Sequence, residues 1–452
     1  MTTAGSEILR PTAAILAVGD ELVLGEKLDT NSMWLADRIG ALGLRVTRHQ
    51  TVGDDNDAIA GDIERLARCN SVVVVGGGLG PTADDLTRHA LAMALERLTD
   101  QPNALVEDPD ALADIERFYQ TAGRAMPPAN RVQALRPTSA RCLSNAHGTA
   151  PGLLASPQVD GQRRVIACLP GPPREMKPMF ESLVATTLAS LPGACAAPLH
   201  VVQVFGLGES DLAGRIEPLM RRGNNPAVGT TASSGLVTCR VRPEPGEPVR
   251  GPYRATTLED AVVEALLEIE RLADGHVVGR ASTSLAGTVL HDAGTHGLTL
   301  ATAESCTGGL VGQLLSSEAG ASRSFLGGWI TYSNEMKVRE LGVDPSMLNT
   351  FGAVSRQVAE AMARGASERS GADIGLSITG IAGPDGGTPE KPVGTVWIGC
   401  HRRGGDPLVR CFRFVGDRQS IRLWSAQTAL FLGLKAIRGQ GVPKLLREVM
   451  DA

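Results

Sequence analysis

The residues best suited to chemistry lie where a short apolar strand is predicted to run into a helix. This junction holds Glu304, Ser305, Thr307, Gly308 and Gly309. The first N–H groups of a helix have no partner inside the helix, so such a junction can bind an oxyanion or a phosphate. The glycines let a ligand approach the backbone, and the serine hydroxyl is placed as a nucleophile is on a strand-to-helix turn. An ordinary helix cap explains the same residue types.

A serine nucleophile needs a base, and histidine is the usual one. After residue 280 the only histidines are His291, His296 and His401, and none lies in a polar cluster. Lys337 is the alternative, because burial can lower the pKa of a lysine from about 10.4 towards neutrality. Only six of the 44 lysine and arginine residues are lysines, so a lysine near candidate nucleophiles stands out. The competing interpretation is an exposed lysine on the helix that follows a strand.

Further candidates lie at the ends of other elements predicted after residue 280. Strands are predicted over 325–332 and 374–378, and a long amphipathic helix is predicted to begin at Asp417. Two arginines at the start of that helix could hold a phosphate together with its free N–H groups, although solvent exposure explains them as well. The candidates for substrate contact or proton transfer are Ser322, Tyr332, Asn334, Thr379, Gly380, Gly383, Arg418 and Arg422.

Strands alternate with helices through the first 182 residues, which predicts a doubly wound, mostly parallel sheet. Such sheets bind ligands at the carboxyl ends of their strands. A glycine-rich loop there can cradle a phosphate, although tight turns need glycine too, and nearby carboxylates suit Mg²⁺ or a similar divalent ion. The phosphate-binding candidates are Gly77, Gly78, Gly80, Thr82 and Asn145. The metal-ligand candidates are Asp20, Glu21, Asp84 and Asp85.

Three motifs in the last part of the chain closely resemble the nicotinamide-nucleotide amidohydrolase domain of the CinA family. They read AESCTGG at 303–309, TYSNEMK at 331–337 and SITGIAGPDGG at 377–387. The resemblance implies that this part converts nicotinamide mononucleotide and water to nicotinate mononucleotide and ammonia, with no cofactor.

The same resemblance implies roles for the candidate residues of this site. Ser305 would be the nucleophile, and Lys337 would act first as base and then as acid. Tyr332 and Ser322 would complete the proton path or orient the amide, and Thr379 would stabilise the oxyanion with the backbone N–H groups of the junction. Ser322 matches an equally characteristic serine of the family, so the choice between the two serines as nucleophile stays open.

Residues 12–182 resemble the molybdopterin-binding-like N-terminal domain of the same family. The matching segments read GDEL at 19–22, GGLGPTADD at 77–85 and LPGPPREM at 169–176. One departure is Gly76, where the family commonly carries threonine. The resemblance implies a metal-dependent ADP-ribose pyrophosphatase, and relatives of this domain bind molybdopterin.

We expect an α/β protein of three domains. Residues 1–182 would form the molybdopterin-binding-like domain, 183–279 a small α+β connecting domain, and 280–452 an α/β amidohydrolase domain. The connecting domain shows no chemistry of its own and is interpreted as a spacer or dimerisation element, so we expect a homodimer. Two other classes of function remain open: a non-catalytic pterin- or nucleotide-binding module in the N-terminal half, or a scaffold for competence-related partners.

Composition limits the partners and the compartment. A net charge of −5, a pI near 6.0 and an aromatic content of 3% argue against binding to nucleic acid. The sequence has no apolar run of the ~18 residues that a membrane span requires. The eight cysteines lack metal-ligand spacing and are expected to be free thiols in a reducing compartment. These features predict a cytoplasmic protein that acts on small nucleotides.

Overall fold

The computed structural model describes residues 10–196, 198–233, 235–280 and 283–449. The chain forms two compact units, residues 1–199 and 200–452. Both units combine helices with sheets that contain parallel or antiparallel strands, which confirms the predicted α/β class. No helix within the described ranges is both long enough and apolar enough to cross a membrane.

The first unit is built around a six-stranded sheet. The strands of the unit are β1 (Thr12–Val18), β2 (Arg45–Val52), β3 (Val72–Gly76), β4 (Leu105–Glu107), β5 (Leu135–Pro137), β6 (Ala140–Leu143), β7 (Gly152–Ala155), β8 (Gln158–Val159), β9 (Gln162–Arg163) and β10 (Val165–Leu169). β4 pairs with β5 and β8 with β9 in two separate two-stranded sheets. The sheet order is β2-β1-β3-β10-β7-β6. The first four of these strands are parallel, and β7 and β6 are antiparallel to their neighbours. This confirms the predicted mostly parallel sheet.

Helices cover both faces of this sheet because its central strands are apolar on both sides. They are α1 (Asp20–Val23), α2 (Thr30–Ala41), α3 (Asn56–Cys69), α4 (Thr87–Thr99), α5 (Pro109–Thr121), α6 (Pro173–Met179) and α7 (Ala185–Ala189), with a 3₁₀ helix at Pro128–Ala134 and a π helix at Phe180–Val184. Val73 and Val75 of β3 pack on the face covered by α3 and α4, whereas Val72 and Val74 pack on the opposite face with α2 and α6. Residues 183–199 belong to this unit.

The second unit begins with an α+β part, residues 200–279. Its elements are β11 (His200–Phe205), α8 (Glu209–Arg215), α9 (Glu217–Met220), β12 (Ala227–Ser233), β13 (Leu236–Arg242), α10 (Leu258–Ala273) and β14 (Val277–Gly279). The antiparallel sheet has the order β12-β13-β11-β14, and the helices cover one of its faces.

The α/β part of the second unit, residues 283–449, carries a five-stranded sheet. Its elements are α11 (Leu285–Thr295), β15 (Leu300–Glu304), α12 (Leu310–Ser316), a 3₁₀ helix at Ala321–Arg323, β16 (Phe325–Ile330), α13 (Asn334–Leu341), α14 (Pro345–Phe351), α15 (Arg356–Ser370), β17 (Ile374–Gly380), β18 (Thr395–Arg402), β19 (Leu408–Arg413) and α16 (Arg418–Arg438). The order is β16-β15-β17-β18-β19, with the first three strands parallel and the last two antiparallel.

The last helix, α16, is more buried than an amphipathic helix should be. Leu430, Phe431, Leu432 and Leu434 are all fully buried, so most of the C-terminal half of the helix is covered on every side. The reason is that α16 packs against β17 and β18 and also against the α+β part, where Phe205 lies 5.1 Å from the Phe431 ring centre. The prediction of an amphipathic helix is therefore wrong for this half.

A C-terminal tail, residues 440–449, joins the two parts of the second unit. The Leu446 N–H donates to the Gly206 carbonyl of the α+β part. The Arg413 N–H at the end of β19 donates to the Arg447 carbonyl. Leu445 is buried between them, where a side chain on Gly206 would collide with it.

Candidate functional site

The predicted junction lies at the carboxyl end of β15, where the chain turns before α12. Ser305 follows the strand directly and is largely buried. Gly308 and Gly309 then adopt left-handed backbone angles, with φ of 58° and 92°. Because φ at Gly309 lies in the left-handed region, the backbone conformation at this position favours glycine. The turn delays the start of the helix to Leu310 and leaves the serine on a short connecting loop.

Glu304 has a structural role in this turn. Its side chain is 2% exposed and accepts hydrogen bonds from the N–H groups of Val311 at 3.1 Å and Gly312 at 2.9 Å. Those are two of the N–H groups that a helix start leaves without partners. The structure therefore gives Glu304 the role of a helix cap, in place of the predicted substrate contact.

Lys337 reaches the serine from α13. Its Nζ lies 3.2 Å from the Ser305 Oγ and donates to the carbonyls of Thr331 at 2.9 Å and Tyr332 at 3.4 Å. The lysine is only 1% exposed. A neutral amine that donates both N–H groups to these carbonyls aims its lone pair at the serine hydroxyl, so the backbone sets the direction of proton transfer.

The electrostatics favour a neutral amine. Burial lowers the pKa of Lys337 from its ordinary value, and the charge of Glu335 opposes this only in part. Burial also raises the pKa of the neighbouring Cys306 to about 12, so its thiol is protonated at neutral pH and does not stabilise an ammonium. A lysine with a lowered pKa can accept the proton of a serine hydroxyl.

The donors available to an oxyanion are fewer than predicted. The Ser305 N–H donates to the Ile378 carbonyl at 3.0 Å, as a continuation of the sheet. Within the part of the chain that the structure describes, the N–H groups of Cys306, Thr307 and Gly309 have no acceptor. These three groups are the candidates for an oxyanion hole.

The Thr379 hydroxyl is not free to join them. The side chain is 1% exposed, and its Oγ donates to the Ala353 carbonyl at 2.7 Å. Since a hydroxyl has a single proton to donate, the structure does not support the predicted oxyanion contact from Thr379.

Two arginines of α16 reach the same turn. Arg422 donates to the Thr307 carbonyl from Nη2 at 2.6 Å and from Nε at 3.2 Å. Arg418 donates to the Gly383 carbonyl at 2.7 Å and to the Tyr332 hydroxyl at 2.9 Å. The arginines thus place two positive charges beside the dyad of Ser305 and Lys337, where they were predicted to hold a phosphate.

The remaining residues predicted to contact the substrate differ in burial and in hydrogen bonding. Asn334 is exposed in the first turn of α13, beside Tyr332. Gly380 is required for packing, because a side chain there would lie 2.7 Å from Val396. The Thr307 hydroxyl is completely buried and has no hydrogen-bond partner among the described residues, which leaves it available to a ligand or a water.

Ser322 lies at the wrong edge of the sheet for the predicted proton path. It is exposed in the 3₁₀ helix before β16, whereas Ser305 follows the carboxyl end of the parallel strand β15. The six residues of β16 separate the two edges, which amounts to roughly 20 Å at about 3.3 Å per residue. The structure therefore does not bring Ser322 to the dyad, either as nucleophile or in the proton path.

The second candidate site is a cleft of about 620 Å³ in the first unit, at the carboxyl ends of its parallel strands. Gly77 and Gly78 line it with left-handed backbone angles, and side chains on them would lie 2.4 and 2.3 Å from neighbouring oxygen atoms. Arg88 is 2% exposed and holds the loop by donating to the carbonyls of Leu79 and Gly80. Among the described residues the N–H groups of Gly78 and Gly80 have no acceptor, so they can face a phosphate.

Carboxylates gather beside this loop. The Asp20 N–H donates to the Asp54 carboxylate, and the Asp54 N–H donates to the Asp20 carboxylate, both at 3.0 Å. Burial raises the pKa of Asp54, and the negative charges of Asp20, Asp84 and Glu21 raise it further. Asp54 was missed by the sequence reasoning, although it lies just after β2, at the same edge as the other carboxylates.

The side chains of Asp85 and Asn145 form hydrogen bonds within the protein. The Asp85 carboxylate accepts from both the N–H and the hydroxyl of Thr82, so these two residues shape the loop. Asn145 donates to the Ala150 carbonyl and to Glu175, and it accepts from the His147 N–H. These bonds replace the predicted phosphate contacts of Asn145 and Thr82.

No three histidine, cysteine, aspartate or glutamate side chains in the described part of the chain are arranged to hold a metal ion on their own. The carboxylates of the cleft nevertheless suit a divalent cation in one respect. Their mutual repulsion, which raises the pKa of Asp54, would be relieved by a positive ion. Mg²⁺ commonly uses one or two carboxylates together with water and substrate phosphates, so three protein ligands are not required.

Models of protein families match three successive parts of the chain. Residues 14–190 match a probable molybdopterin binding domain, residues 200–268 a damage-inducible protein CinA KH domain, and residues 282–437 a CinA C-terminal domain. These matches cover the first unit and both parts of the second.

Similar proteins extend over nearly the whole chain. A putative competence-damage inducible protein of Moorella thermoacetica is 40% identical over 434 residues, which is 95% of this chain and 99% of that protein. A CinA-like protein of Dictyoglomus thermophilum is 38% identical over 419 residues, 92% of this chain and 97% of that protein. The crystal structure of a competence/damage inducible protein, CihA, from Agrobacterium tumefaciens is 45% identical and covers 34% of this chain and 93% of its own, with a TM-score of 0.33.

Proposed function

The chain belongs to the CinA family, and from that premise we propose that its α/β part is an amidohydrolase acting on nicotinamide mononucleotide. The products are nicotinate mononucleotide and ammonia. The observation that carries the proposal is the buried Lys337, whose Nζ lies 3.2 Å from the Ser305 Oγ. A buried lysine with a lowered pKa beside a serine on a tight turn supplies the base that amide hydrolysis by a serine nucleophile needs.

The first half of the reaction uses the neutral lysine as a base. Lys337 takes the hydroxyl proton of Ser305 while the Oγ attacks the carboxamide carbon, and the negative charge develops on the amide oxygen. The unpaired N–H groups of Cys306, Thr307 and Gly309 are the donors available to that oxygen. The lysine ammonium then gives its proton to the departing nitrogen, which leaves as ammonia, and an acyl ester remains on the serine.

The second half reverses the roles with water. A water molecule attacks the ester carbon and gives a proton to Lys337, and the lysine returns that proton to the Ser305 oxygen as the nicotinate carboxyl group is released. The charges of Arg418 and Arg422 beside the turn complement the phosphate of a mononucleotide. No cofactor is needed for either step.

The test is ammonia release from nicotinamide mononucleotide by the full chain. Ser305→Ala removes the attacking oxygen, and we expect a loss of at least a hundredfold in rate. The matched control is Ser322→Ala, which lies at the opposite edge of the sheet and should keep near-normal activity. A rate for Ser305→Ala within about tenfold of the unmodified protein, or an equal loss in Ser322→Ala, would refute the proposed nucleophile.

We propose a second activity for the first unit, the metal-dependent cleavage of ADP-ribose at its pyrophosphate. The supporting observation is that the glycine loop with free N–H groups and the carboxylates near Asp54 line one cleft. Asp54 and Asp84, which both line the cleft, are the residues that would hold a divalent ion such as Mg²⁺, completed by water and the phosphates of the substrate. When bound, the ion would neutralise phosphate charge, and the glycine loop would orient the pyrophosphate.

We also propose that the protein works in the cytoplasm. All eight cysteines are free thiols, and five of them are buried in apolar surroundings. Proteins with many unpaired thiols belong in a reducing compartment.

A further inference from the structure

Besides the aspartates and the glycine loop, three side chains that line the cleft of the first unit each carry a polar atom without a hydrogen-bond partner among the described residues. They belong to Glu175, Gln133 and Asn31. Fully buried polar atoms are nearly always paired, so the buried Asn31 Oδ1 suggests a missing partner. The other two atoms belong to Gln133 and Glu175, whose side chains line the cleft and are 2% and 7% exposed. The cleft is where that partner would sit.

Glu175 is the most informative of the three. It is 7% exposed, and its Oε2 accepts from the Asn145 Nδ2 at 2.8 Å. Its Oε1 has no hydrogen-bond partner in the described ranges; the exposed Arg174 Nε lies 3.8 Å away, which is beyond hydrogen-bond distance. Because Asn145 is itself fixed by Ala150 and by the His147 N–H, the carboxylate is held in one orientation, with one oxygen unpaired.

Gln133 and Asn31 add a donor and a second acceptor. Gln133 is 2% exposed, and its Oε1 accepts from Asn130, which leaves its Nε2 without an acceptor in the described part of the chain. The Asn31 Nδ2 donates to the Gly171 carbonyl at 2.7 Å, and its buried Oδ1 has no partner among the described residues. The three side chains therefore offer two acceptors and one donor to the same cleft.

We propose that Glu175, Gln133 and Asn31 bind the 2′- and 3′-hydroxyls of the ribose of a nucleoside diphosphate. Each hydroxyl of a vicinal diol both donates and accepts, which matches this set of acceptors and donor. Carboxylates bind ribose hydroxyls in other nucleotide sites for the same reason. The assignment rests on the nucleotide site proposed above and makes that site selective for ribonucleotides.

The test compares the binding of ADP and 2′,3′-dideoxy-ADP to the full chain by calorimetry in the presence of Mg²⁺. The two ligands share base and phosphates and differ only in the hydroxyls. We expect the unmodified protein to bind ADP at least tenfold more tightly, because hydrogen bonds to a charged group contribute more than one factor of ten. Equal affinities would overturn the proposal.

The variants assign the effect to residues. Glu175→Gln keeps an oxygen for Asn145 but removes the unpaired carboxylate oxygen, and we expect the preference for ADP to fall to about threefold or less, with the affinity for 2′,3′-dideoxy-ADP unchanged. Gln133→Glu keeps the oxygen that accepts from Asn130 and removes the N–H donor, and we expect a similar fall in the preference for ADP. If Glu175→Gln does not fold, Gln133→Glu alone tests the assignment. Glu181→Gln, on an exposed carboxylate of the next helical segment, is the matched control. A full preference for ADP in both cleft variants would refute the assignment.

The proposal and the proposed pyrophosphatase can fail separately. Loss of the ADP preference in the variants, together with no cleavage of ADP-ribose by the unmodified protein, would keep the ribose site and remove the catalytic function. Normal cleavage of ADP-ribose together with equal binding of ADP and 2′,3′-dideoxy-ADP would keep the pyrophosphatase and remove the ribose site. If neither nucleotide binds, both proposals are wrong.

Discussion

Replacing Lys337 by methionine should change how the stability of the protein depends on pH. The substitution keeps the unbranched shape of the side chain and removes the amine, whose pKa is lowered by burial. Between that lowered pKa and the ordinary value of 10.5, the unfolded chain holds a proton that the folded chain lacks. The free energy of unfolding therefore rises with pH across this window.

The magnitude follows from proton linkage. One fully titrating group gives a slope of up to about 1.4 kcal/mol per pH unit. Lys435 is also buried, and its pKa is lowered to about 8, so it adds a similar slope. Since Lys435 is present in both proteins, the difference between the unmodified protein and Lys337→Met isolates the contribution of Lys337.

The assay is urea denaturation of the full chain at intervals from pH 7 to pH 10.5, with the exposed Lys444→Met as control. We expect the stability difference between Lys337→Met and the unmodified protein to shrink or reverse steadily as pH rises, and no such trend for Lys444→Met. Ammonia release by the unmodified protein should rise with pH through the same lowered pKa, because the neutral amine is the active form. A stability difference that is constant with pH would mean that Lys337 keeps its ordinary pKa, and the lysine-base mechanism would be refuted.

Three further predictions test other parts of the two sites. Asp84→Asn should abolish metal-dependent cleavage of ADP-ribose and leave ammonia release intact; loss of both activities would indicate a fold defect instead. Glu304→Ala should lower the free energy of unfolding by about 3 kcal/mol, because each buried N–H left without an acceptor costs about 1–3 kcal/mol. A raised KM with unchanged stability in urea would show instead that Glu304 contacts the substrate. Arg422→Lys should raise the KM for nicotinamide mononucleotide about tenfold or more, since lysine cannot replace the forked contact to Thr307; an unchanged KM would make the arginine dispensable.

The dyad could be predicted from the sequence because each residue follows a recognisable local pattern. Ser305 comes directly after an apolar strand and before two glycines, and the rarity of lysine singled out Lys337. The structure brings the two residues together because β15 and β16 are adjacent and parallel, so the segments that follow the two strands lie at the same edge of the sheet. Adjacent parallel strands were a reasonable expectation in an α/β fold.

The errors concern residues whose role depends on the direction of a side chain. The sequence predicts a substrate contact for Glu304, but its carboxylate accepts hydrogen bonds from two N–H groups at the start of α12. Thr379 lies at the right strand end, yet its hydroxyl is taken by Ala353, a residue 26 positions away. The role of Ser322 is predicted from its motif alone, and the strand after it runs from Ser322 to the opposite edge of the sheet, where Ser305 and Lys337 lie. Such long-range pairings have no signal in a local motif.

The C-terminal tail limits how modular this protein can be. Its hydrogen bonds to Gly206 and to β19 link the α+β part to the five-stranded sheet, and Phe205 contributes its ring to the core around Phe431. The boundary near residue 280, clear in sequence, therefore passes through a shared core. A gene cut at that boundary would expose an aromatic surface and leave the tail without its partner. A stand-alone form of residues 283–449, recombinant or natural, would have to replace that surface with polar side chains to stay soluble.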